Sequence, residues 1–232
     1  FGTHNTGNLA WGYAFSDGLR ATAAYGTAFK APSFNELYFP FYGNPALEPE
    51  TARSLEFGLA GVAAWGRWSA NVFRTTVDDL IAFDSSIFAA NNVDKARIRG
   101  LEATLATRLM SWDLSGSLTL IDPENRSEGL NRGNVLPRRA EQTLRLDADR
   151  DLGAWRLGTT VVAEGRRYDD LANRNRLAGY ATVDLRAEHA LGRDWRVQGT
   201  LVNIFDADYE TARFYEQPGR GVFVTLTYQP QR

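Results

Sequence analysis

The sequence has no cysteine, and it has only two histidines among its 232 residues. Without cysteine there can be neither a disulfide nor a thiolate metal site. His4 and His189 lie far apart in the chain, so a transition-metal centre is not expected either. No apolar run approaches the roughly 20 residues that a membrane-spanning helix requires. The formal net charge of −2 gives no electrostatic basis for binding nucleic acid.

The sequence also lacks the motifs of common catalytic and calcium sites. A serine hydrolase places its nucleophile next to a base, and no G-x-S-x-G motif is present. Asp78-Asp79 and Asp206-x-Asp208 lack the spacing and the distal glutamate of a calcium loop. We interpret these acidic pairs as strand-end carboxylates that accept hydrogen bonds from loop backbone. The sequence therefore predicts no enzyme, no metal site and no cofactor.

About eleven segments alternate apolar and polar residues with a period of two, which is typical of β-strands with two different faces. In the clearest segment, 180–188, Val183 and Leu185 alternate with Asp184 and Arg186. Charged residues on one face would be costly in a dry core and indicate a wet interior. The predicted strands are 8–15, 19–27, 52–62, 67–77, 95–109, 112–120, 139–150, 155–164, 180–188, 194–203 and 221–228.

The connections between these strands alternate in length, as in outer-membrane barrels with short periplasmic turns and long extracellular loops. Five of the six tryptophans lie in or beside the short turns, and tryptophan favours the lipid–water boundary. These features favour an all-β fold, an antiparallel transmembrane β-barrel, over a soluble sandwich. Short turns are predicted near 16–18, 64–67, 110–112, 151–154 and 191–194, and long loops at 29–51, 84–94, 122–137, 166–178 and 205–219.

The stretch from Phe29 to Arg53 carries four of the eight prolines and many aromatic residues. Prolines at this density exclude a helix interior and a central strand. The apolar content argues against disorder. We therefore expect an ordered, aromatic-rich loop on a rigid scaffold, where binding residues are often found. The alternative is a loop folded down as a lid over its own core.

The same stretch carries a family resemblance. AFKAPSFNELY at 28–38 and GNPALEPE at 43–50 resemble the extracellular region of TonB-dependent outer-membrane receptors, and within them most resemble the cobalamin receptors. Three further segments are similar to strand ends of the family: KARIRGLEAT at 95–104, PRRAEQ at 137–142 and NIFDADYET at 203–211. The resemblance covers essentially the whole chain, but only the C-terminal half of such a receptor.

The resemblance implies a bacterial outer-membrane protein that imports cobalamin or another large, scarce solute. Eleven strands are half of a 22-stranded plugged barrel. We therefore expect residues 1–232 to be the C-terminal part of the barrel domain, with the plug and the N-terminal strands absent. The implied partners are the solute, outer-membrane lipid, and TonB through the missing N-terminal region. A ferric siderophore receptor is the alternative within the fold, and a passive pore or adhesin is the alternative of another class.

The resemblance also implies ligand contacts. In cobalamin receptors the first arginine of the matching R-R-A-x-Q motif contacts the ligand, and this arginine corresponds to Arg138. The tyrosine before the final G-R of the last loop does so too, and it corresponds to Tyr215, although Arg213 and Phe214 make this loop depart from the family pattern. A structural salt bridge is the alternative role for Arg138. Position at the predicted extracellular mouth adds three further candidate substrate-binding residues: Arg167, Tyr168 and Phe41.

Overall fold

The computed structural model describes residues 1–84 and 87–230, which form an antiparallel sheet of eleven strands. Each strand pairs with the next one in line, so the chain runs up and down across the sheet. The predicted all-β antiparallel architecture is confirmed. The strands of the sheet are β1 (Asn8–Ser16), β2 (Leu19–Lys30), β3 (Glu50–Ala63), β4 (Gly66–Asp84), β5 (Ala89–Leu109), β6 (Trp112–Asn125), β7 (Gln142–Leu152), β8 (Trp155–Glu164), β11 (Tyr180–Leu191), β12 (Trp195–Val202) and β15 (Gly221–Tyr228).

The remaining elements are small and stand in the long loops. One hairpin pairs β9 (Arg167–Tyr168) with β10 (Arg176–Leu177), and a second pairs β13 (Glu210–Ala212) with β14 (Tyr215–Glu216). The helix α1 (Phe34–Tyr38) has five residues and lies between two prolines of the aromatic-rich loop. No helix within residues 1–84 and 87–230 is long and apolar enough to cross a membrane.

One face of the sheet exposes its apolar side chains. On β1, Leu9 and Trp11 are 75% and 58% exposed, and on β3, Leu55 and Phe57 are 45% and 53% exposed. Soluble monomers rarely expose contiguous apolar surface on this scale. Exposed apolar rows of this kind are typical of the lipid-facing surface of a transmembrane β-barrel.

The opposite face carries paired polar groups. The Asp147 carboxylate accepts hydrogen bonds from Arg145 Nε at 2.8 Å and from Thr160 Oγ1 at 2.7 Å. Arg186 Nη2 donates to Asp149 Oδ1 at 3.0 Å. These contacts join three neighbouring strands, β7, β8 and β11, through side chains on one face. The alternation predicted a polar side, and on these three strands hydrogen bonds pair Asp147 with Arg145 and Asp149 with Arg186.

The short turns lie between β1 and β2, β3 and β4, β5 and β6, β7 and β8, and β11 and β12. Trp65 lies in one of these turns, and Trp112, Trp155 and Trp195 are each the first residue of the strand that follows a turn. Trp68 is the third residue of β4. The predicted turns and their tryptophans are therefore confirmed, and they mark one end of the sheet.

The long loop predicted at 84–94 is wrong. β4 continues to Asp84 and β5 begins at Ala89, so the two strands form a hairpin that extends beyond its neighbours. The alternation is hidden because Asp79 adopts a left-handed φ of 59° and the pairing skips from Asp78↔Lys95 to Leu80↔Val93. Residues 85 and 86, which belonged to the predicted loop, lie outside the described residues. The loop predicted at 122–137 likewise begins later, because β6 runs to Asn125.

The projecting hairpin of β4 and β5 is the base on which the long loops pack. Leu136 and Leu171, from two different loops, are 0% and 8% exposed and join one apolar cluster on the hairpin. The hairpin contributes four members of this cluster: Val77, Leu80, Val93 and Ala96. A second cluster holds Leu37 and Leu47 of the aromatic-rich loop against Ala90.

Candidate ligand-binding site

The aromatic-rich loop is folded around a capped helix turn. The Ser33 hydroxyl accepts from the Glu36 N–H at 3.3 Å, and the Glu36 carboxylate accepts from the Ser33 N–H at 2.6 Å, which forms a capping box. Lys30 Nζ lies 3.1 Å from Glu36 and 2.8 Å from Glu50, so it ties the helix to the start of β3. Partial burial by itself raises the pKa of Glu36, but the hydrogen bonds from Ser33 and the Lys30 ammonium outweigh it and leave the pKa below its usual value.

This loop is anchored by its leucines and presents its aromatic rings. Leu37 and Leu47 are 8% and 3% exposed. Four of its aromatic side chains are more than half exposed, and Phe41 is 97% exposed with a left-handed φ of 64°. Both interpretations of the loop are therefore partly right, since it packs on the β4–β5 hairpin and still offers aromatic surface. The exposed rings are Phe34, Tyr38, Phe39 and Phe41.

Arg138 is held at the junction of two loops. Its backbone N–H donates to the Tyr168 carbonyl at 2.6 Å, and its Nε donates to Asp169 Oδ1 at 2.7 Å. The guanidinium carbon lies 4.7 Å from the centroid of the Phe83 ring, within cation–π range. The Arg138 side chain remains 38% exposed, whereas that of Asp169 is 5% exposed. The arginine therefore has both the structural salt bridge considered from the sequence and a surface open to solvent.

Asp169 also connects the last long loop to this point. Its Oδ1 accepts the backbone N–H of Arg213 at 3.1 Å, in the turn between β13 and β14. Tyr215 follows in β14 and is 69% exposed. One buried carboxylate thus fixes Arg138 and the hairpin that carries Tyr215.

Asn173 reinforces the junction between the loop at 126–141 and the loop at 165–179. Its side-chain oxygen accepts the Val135 N–H at 2.8 Å, and its side-chain nitrogen donates to the Val135 carbonyl at 2.8 Å. Asn134 Nδ2 donates to the Leu171 carbonyl at 2.9 Å. Each loop thus contributes an asparagine side chain that bonds to the backbone of the other loop. These bonds hold the two loops together.

Phe83 links Arg138 to the aromatic-rich loop. Its ring stacks on Tyr42 with centroids 6.1 Å apart, and it meets Phe88 edge-on at 5.4 Å. Tyr42 directly follows the exposed Phe41 in the sequence. The tip of the β4–β5 hairpin therefore places a row of aromatic rings beside the Arg138 guanidinium.

The structure thus brings together most of the sequence-predicted site residues. Arg138, Tyr168 and the hairpin of Tyr215 meet at Asp169, and Phe41 lies in the loop that Phe83 joins to Arg138. Arg167 does not share this arrangement. It is 7% exposed, its guanidinium pairs with Glu164, and it lies over the Tyr180 ring at 5.9 Å.

Sequence reasoning missed Asp169 and Phe83. Asp169 lay in a predicted loop with no motif around it, and its partners are 31 and 44 residues away. Phe83 lay beside the loop wrongly predicted at 84–94, although its alternation with Ile81 could have extended the strand. Neither residue could be recognised as part of a candidate ligand site until the fold showed its neighbours.

The arrangement suits non-covalent capture of a large solute. It offers an arginine with a planar array of donors and aromatic surfaces with polar edges. Among the side chains of residues 1–84 and 87–230, no group of three or more metal-ligating residues could hold a metal ion. What these residues can do is bind and orient a solute.

Most of the chain matches one protein family. Residues 1–204 match the family model described as TonB dependent receptor-like, beta-barrel. The chain belongs to the TonB-dependent receptor β-barrel family. The resemblance seen in the sequence is confirmed at this level.

One transporter is similar in sequence over nearly the whole of this chain. The vitamin B12 transporter BtuB of Photobacterium profundum is 33% identical over 238 residues, which cover 99% of this chain and 38% of that protein. The chain thus spans well under half the length of this relative.

Solved structures of TonB-dependent receptors share the fold at lower identity. The copper transporter OprC has a TM-score of 0.80 at 21% identity, covering 96% of this chain and 38% of its own. The siderophore receptor PiuA from Acinetobacter baumannii has a TM-score of 0.79 at 20% identity, with 96% and 35% covered. The ferric citrate transporter FecA has a TM-score of 0.80 at 19% identity, with 95% and 37% covered. At these identities the likeness shows the fold alone.

Proposed function

We propose that this chain is the C-terminal part of the barrel of an outer-membrane receptor that takes up cobalamin with energy supplied through TonB. The observation that carries the proposal is the junction at Asp169, which places Arg138 and the hairpin of Tyr215 at one rim of the sheet. The 33% identity to a vitamin B12 transporter over nearly the whole chain supports cobalamin as the solute.

The chemistry of the junction fits a corrinoid. Cobalamin carries amides and a phosphate around a flat macrocycle, so it needs donors for its edge and flat surfaces for its faces. The exposed part of the Arg138 guanidinium supplies donors. Tyr215 and Phe41, at 69% and 97% exposure, supply aromatic surface with few degrees of freedom to lose. Tyr168 is half-buried, and its backbone carbonyl supports Arg138 by accepting the Arg138 N–H.

The partners follow from this role. The apolar outward rows contact the lipid of a bacterial outer membrane, the extracellular loops bind the solute, and TonB acts through a region N-terminal to the barrel. The solute is imported without covalent change, in keeping with a family of receptors and transporters.

A ferric siderophore receptor is the second candidate. The siderophore receptor PiuA shares the fold across 96% of the chain, and Arg138 would suit an anionic ferric complex as well as a phosphate. A passive pore or an adhesin shares the barrel but needs no TonB, so dependence of uptake on TonB separates that class.

The test measures ligand binding to the full-length receptor that contains this chain. Calorimetric titrations with cyanocobalamin compare the wild type, Arg138→Ala and Tyr215→Ala, with Arg193→Ala at the short-turn end as the matched control. Losing a hydrogen bond to a charged group costs about 1.5–3 kcal/mol, so Arg138→Ala should weaken binding at least tenfold. Tyr215→Ala should also weaken binding, and the control should not.

Two results would contradict the proposal. The first is a wild type that binds a ferric siderophore and not cyanocobalamin, which would favour the second candidate. The second is unchanged cobalamin affinity in both site variants, which would place the ligand elsewhere on the receptor. Heat-modifiable mobility in gels checks that each variant has a folded barrel.

A further inference from the structure

The hairpin of β13 and β14 is held at its base by a contact separate from the one that Asp169 makes at its tip. At the base, the Tyr209 ring stacks on the Tyr180 ring, with centroids 3.9 Å apart and planes inclined by 22°. Tyr209 directly precedes β13, and its carbonyl accepts the Gln217 N–H at 3.0 Å, just after β14. The stack therefore holds both ends of the hairpin to the ring of Tyr180.

Tyr180 belongs to the sheet and not to a loop. It is the first residue of β11, and the strand pairing places it opposite Glu164, the last residue of β8. Paired residues share a face of the sheet, and the alternation along β11 puts Tyr180 on the polar face with Arg186. The position of the Tyr209 ring is therefore set by the strand ends of β8 and β11.

Arg167 packs on this stack from the side of β9. It is 7% exposed, its guanidinium pairs with Glu164, and its guanidinium carbon lies 5.9 Å from the centroid of the Tyr180 ring, within cation–π range. Within residues 1–84 and 87–230, its Nε is buried without a hydrogen-bond partner. An unpaired buried donor lowers stability, so stability alone does not explain an arginine here. Its planar group can serve Glu164 and Tyr180 together, which the compact ammonium of a lysine would do poorly.

Tyr215 depends on such support. Within residues 1–84 and 87–230, its side chain has no hydrogen bond and no ring contact, and the residue is 69% exposed. The hairpin pairs Glu210 with Glu216 and Ala212 with Tyr215, with a register shift between the two pairs. A two-stranded ribbon is marginally stable by itself. The place of the Tyr215 ring therefore follows from the contacts that hold the tip and the base of the hairpin.

We propose that Arg167 is a positioning residue for solute binding, which places Tyr215 at the mouth through the stack of Tyr180 on Tyr209. The inference rests on the proposed function, in which Tyr215 contacts the solute. It is carried by the unbroken series of contacts from the guanidinium to the two stacked rings and on to the hairpin. With 7% exposure, Arg167 has almost no surface to offer the solute itself.

The first measurement is hydrogen exchange of residues 210–216 in the full-length receptor without solute, followed by mass spectrometry. Arg167→Met removes the planar cation, Tyr209→Ala removes the stacking ring, and Tyr209→Phe keeps the ring. The control Tyr13→Ala removes a ring whose centroid lies 5.0 Å from that of Phe15 on the outward row of β1. Exchange should be severalfold faster in Arg167→Met and Tyr209→Ala, and unchanged in Tyr209→Phe and in the control.

The second measurement separates positioning from a general loss of structure. Cyanocobalamin affinity is measured for Tyr209→Ala in the wild type, in Arg138→Ala and in Tyr215→Ala. If Tyr209 acts through Tyr215, its replacement should weaken binding severalfold in the first two backgrounds and have no effect in the third. Arg167→Met should give the same pattern. A general loosening of the mouth would instead lower the affinity in all three backgrounds.

Three results would overturn the proposal. They are unchanged exchange in Arg167→Met, unchanged exchange in Tyr209→Ala, and an equal loss of affinity in all three backgrounds. Heat-modifiable mobility in gels checks that each barrel is folded. If Arg167→Met does not fold, Arg167→Lys keeps the charge for Glu164 and loses the planar group over Tyr180. Exchange should still be faster in that variant, and an unchanged rate would likewise overturn the proposal.

The exchange measurement needs no solute, so it separates this proposal from the proposed function. Faster exchange in Arg167→Met, in a receptor that binds no cyanocobalamin, supports the positioning of the hairpin and refutes only the cobalamin assignment. Cyanocobalamin binding by the wild type, with exchange that does not depend on Arg167, refutes only the positioning role.

Discussion

The Nε atom of Arg138 lies 2.7 Å from the buried Oδ1 of Asp169, and that same oxygen accepts the backbone N–H of Arg213. The loops at 126–141, 165–179 and 203–220 therefore share a single carboxylate. Replacing Asp169 should therefore loosen all three loops, whereas replacing Arg138 should loosen only one of them.

Asp169→Asn tests this relationship. The variant loses the charge that holds Arg138, and it offers the Arg213 N–H a neutral amide oxygen, which is a weaker acceptor than a carboxylate. Breaking a buried ion pair costs about 3–5 kcal/mol, and the 38% exposure of Arg138 reduces this to roughly 1–2 kcal/mol. Hydrogen exchange measured by mass spectrometry should rise in all three loops and stay constant in the sheet. The exposed Asp208→Asn is the control, and equal exchange in the two variants would refute the shared role.

The alternation along β11 predicts opposite responses at neighbouring residues. Leu185 is 41% exposed on the apolar face, so Leu185→Arg should place a charge in hydrocarbon and lower the free energy of unfolding by about 2–4 kcal/mol. Asp184→Asn should be tolerated, because the Oδ1 that accepts the Asn203 N–H at 2.8 Å is retained. Urea titrations of the full-length receptor in bilayers compare the two. Similar losses, or the reverse order, would show that the lipid-facing register is wrong.

Glu36 predicts a pH dependence of the aromatic-rich loop. Its pKa is lowered in the folded loop, so its stabilising effect is fully present above the unfolded value of about 4.3 and is lost as the pH falls through the lower folded value. Amide exchange of α1 should therefore rise below about pH 4. Glu36→Gln should remove this pH dependence, whereas Glu48→Gln, which is exposed and outside the capping box, should preserve it. A wild-type helix whose protection is flat from pH 6 to pH 3 would exclude the mechanism.

Phe83 should support Arg138 without contributing to the barrel. Phe83→Ala removes the ring under the guanidinium and the stacking partner of Tyr42. Cobalamin affinity should fall, and a double-mutant cycle with Arg138→Ala should give a coupling energy of about 0.5–2 kcal/mol. The control is the same kind of cycle on a second cation–π pair, in which Phe214→Ala removes an exposed ring whose centroid lies 4.6 Å from the Arg213 guanidinium. Additive effects of Phe83 and Arg138 would mean that the contact has no energetic role.

Much of the fold could be predicted from the sequence because one face of the sheet is apolar and the other is polar. This contrast gives each strand a regular alternation of apolar and polar residues. For example, β15 covers the predicted strand at 221–228. The period fails in the β4–β5 hairpin, beyond the ends of the neighbouring strands. At Asp79 the left-handed backbone shifts the alternation, and the extended β4–β5 hairpin was mistaken for a loop.

The candidate site could be predicted only in part, and for a different reason. Arg138 and Tyr215 came from the family resemblance, because nothing in a lone arginine or tyrosine marks a ligand contact. Asp169 and Phe83 act through partners far away in sequence, and no local pattern encodes such contacts. Arg167 was selected by its position at the mouth, yet its pairing with Glu164 turns it toward the strands. The ligand-binding role of each of these residues stays a prediction.

The burial of Leu136 and Leu171 on the projecting hairpin has a kinetic consequence. Loops that are already packed have little conformational entropy left to lose when a solute arrives. The solute should then bind to a preformed surface. Its association rate should be set by diffusion and orientation rather than by closure of the loops. Differences in affinity among variants of this mouth should accordingly appear as differences in how long the solute stays.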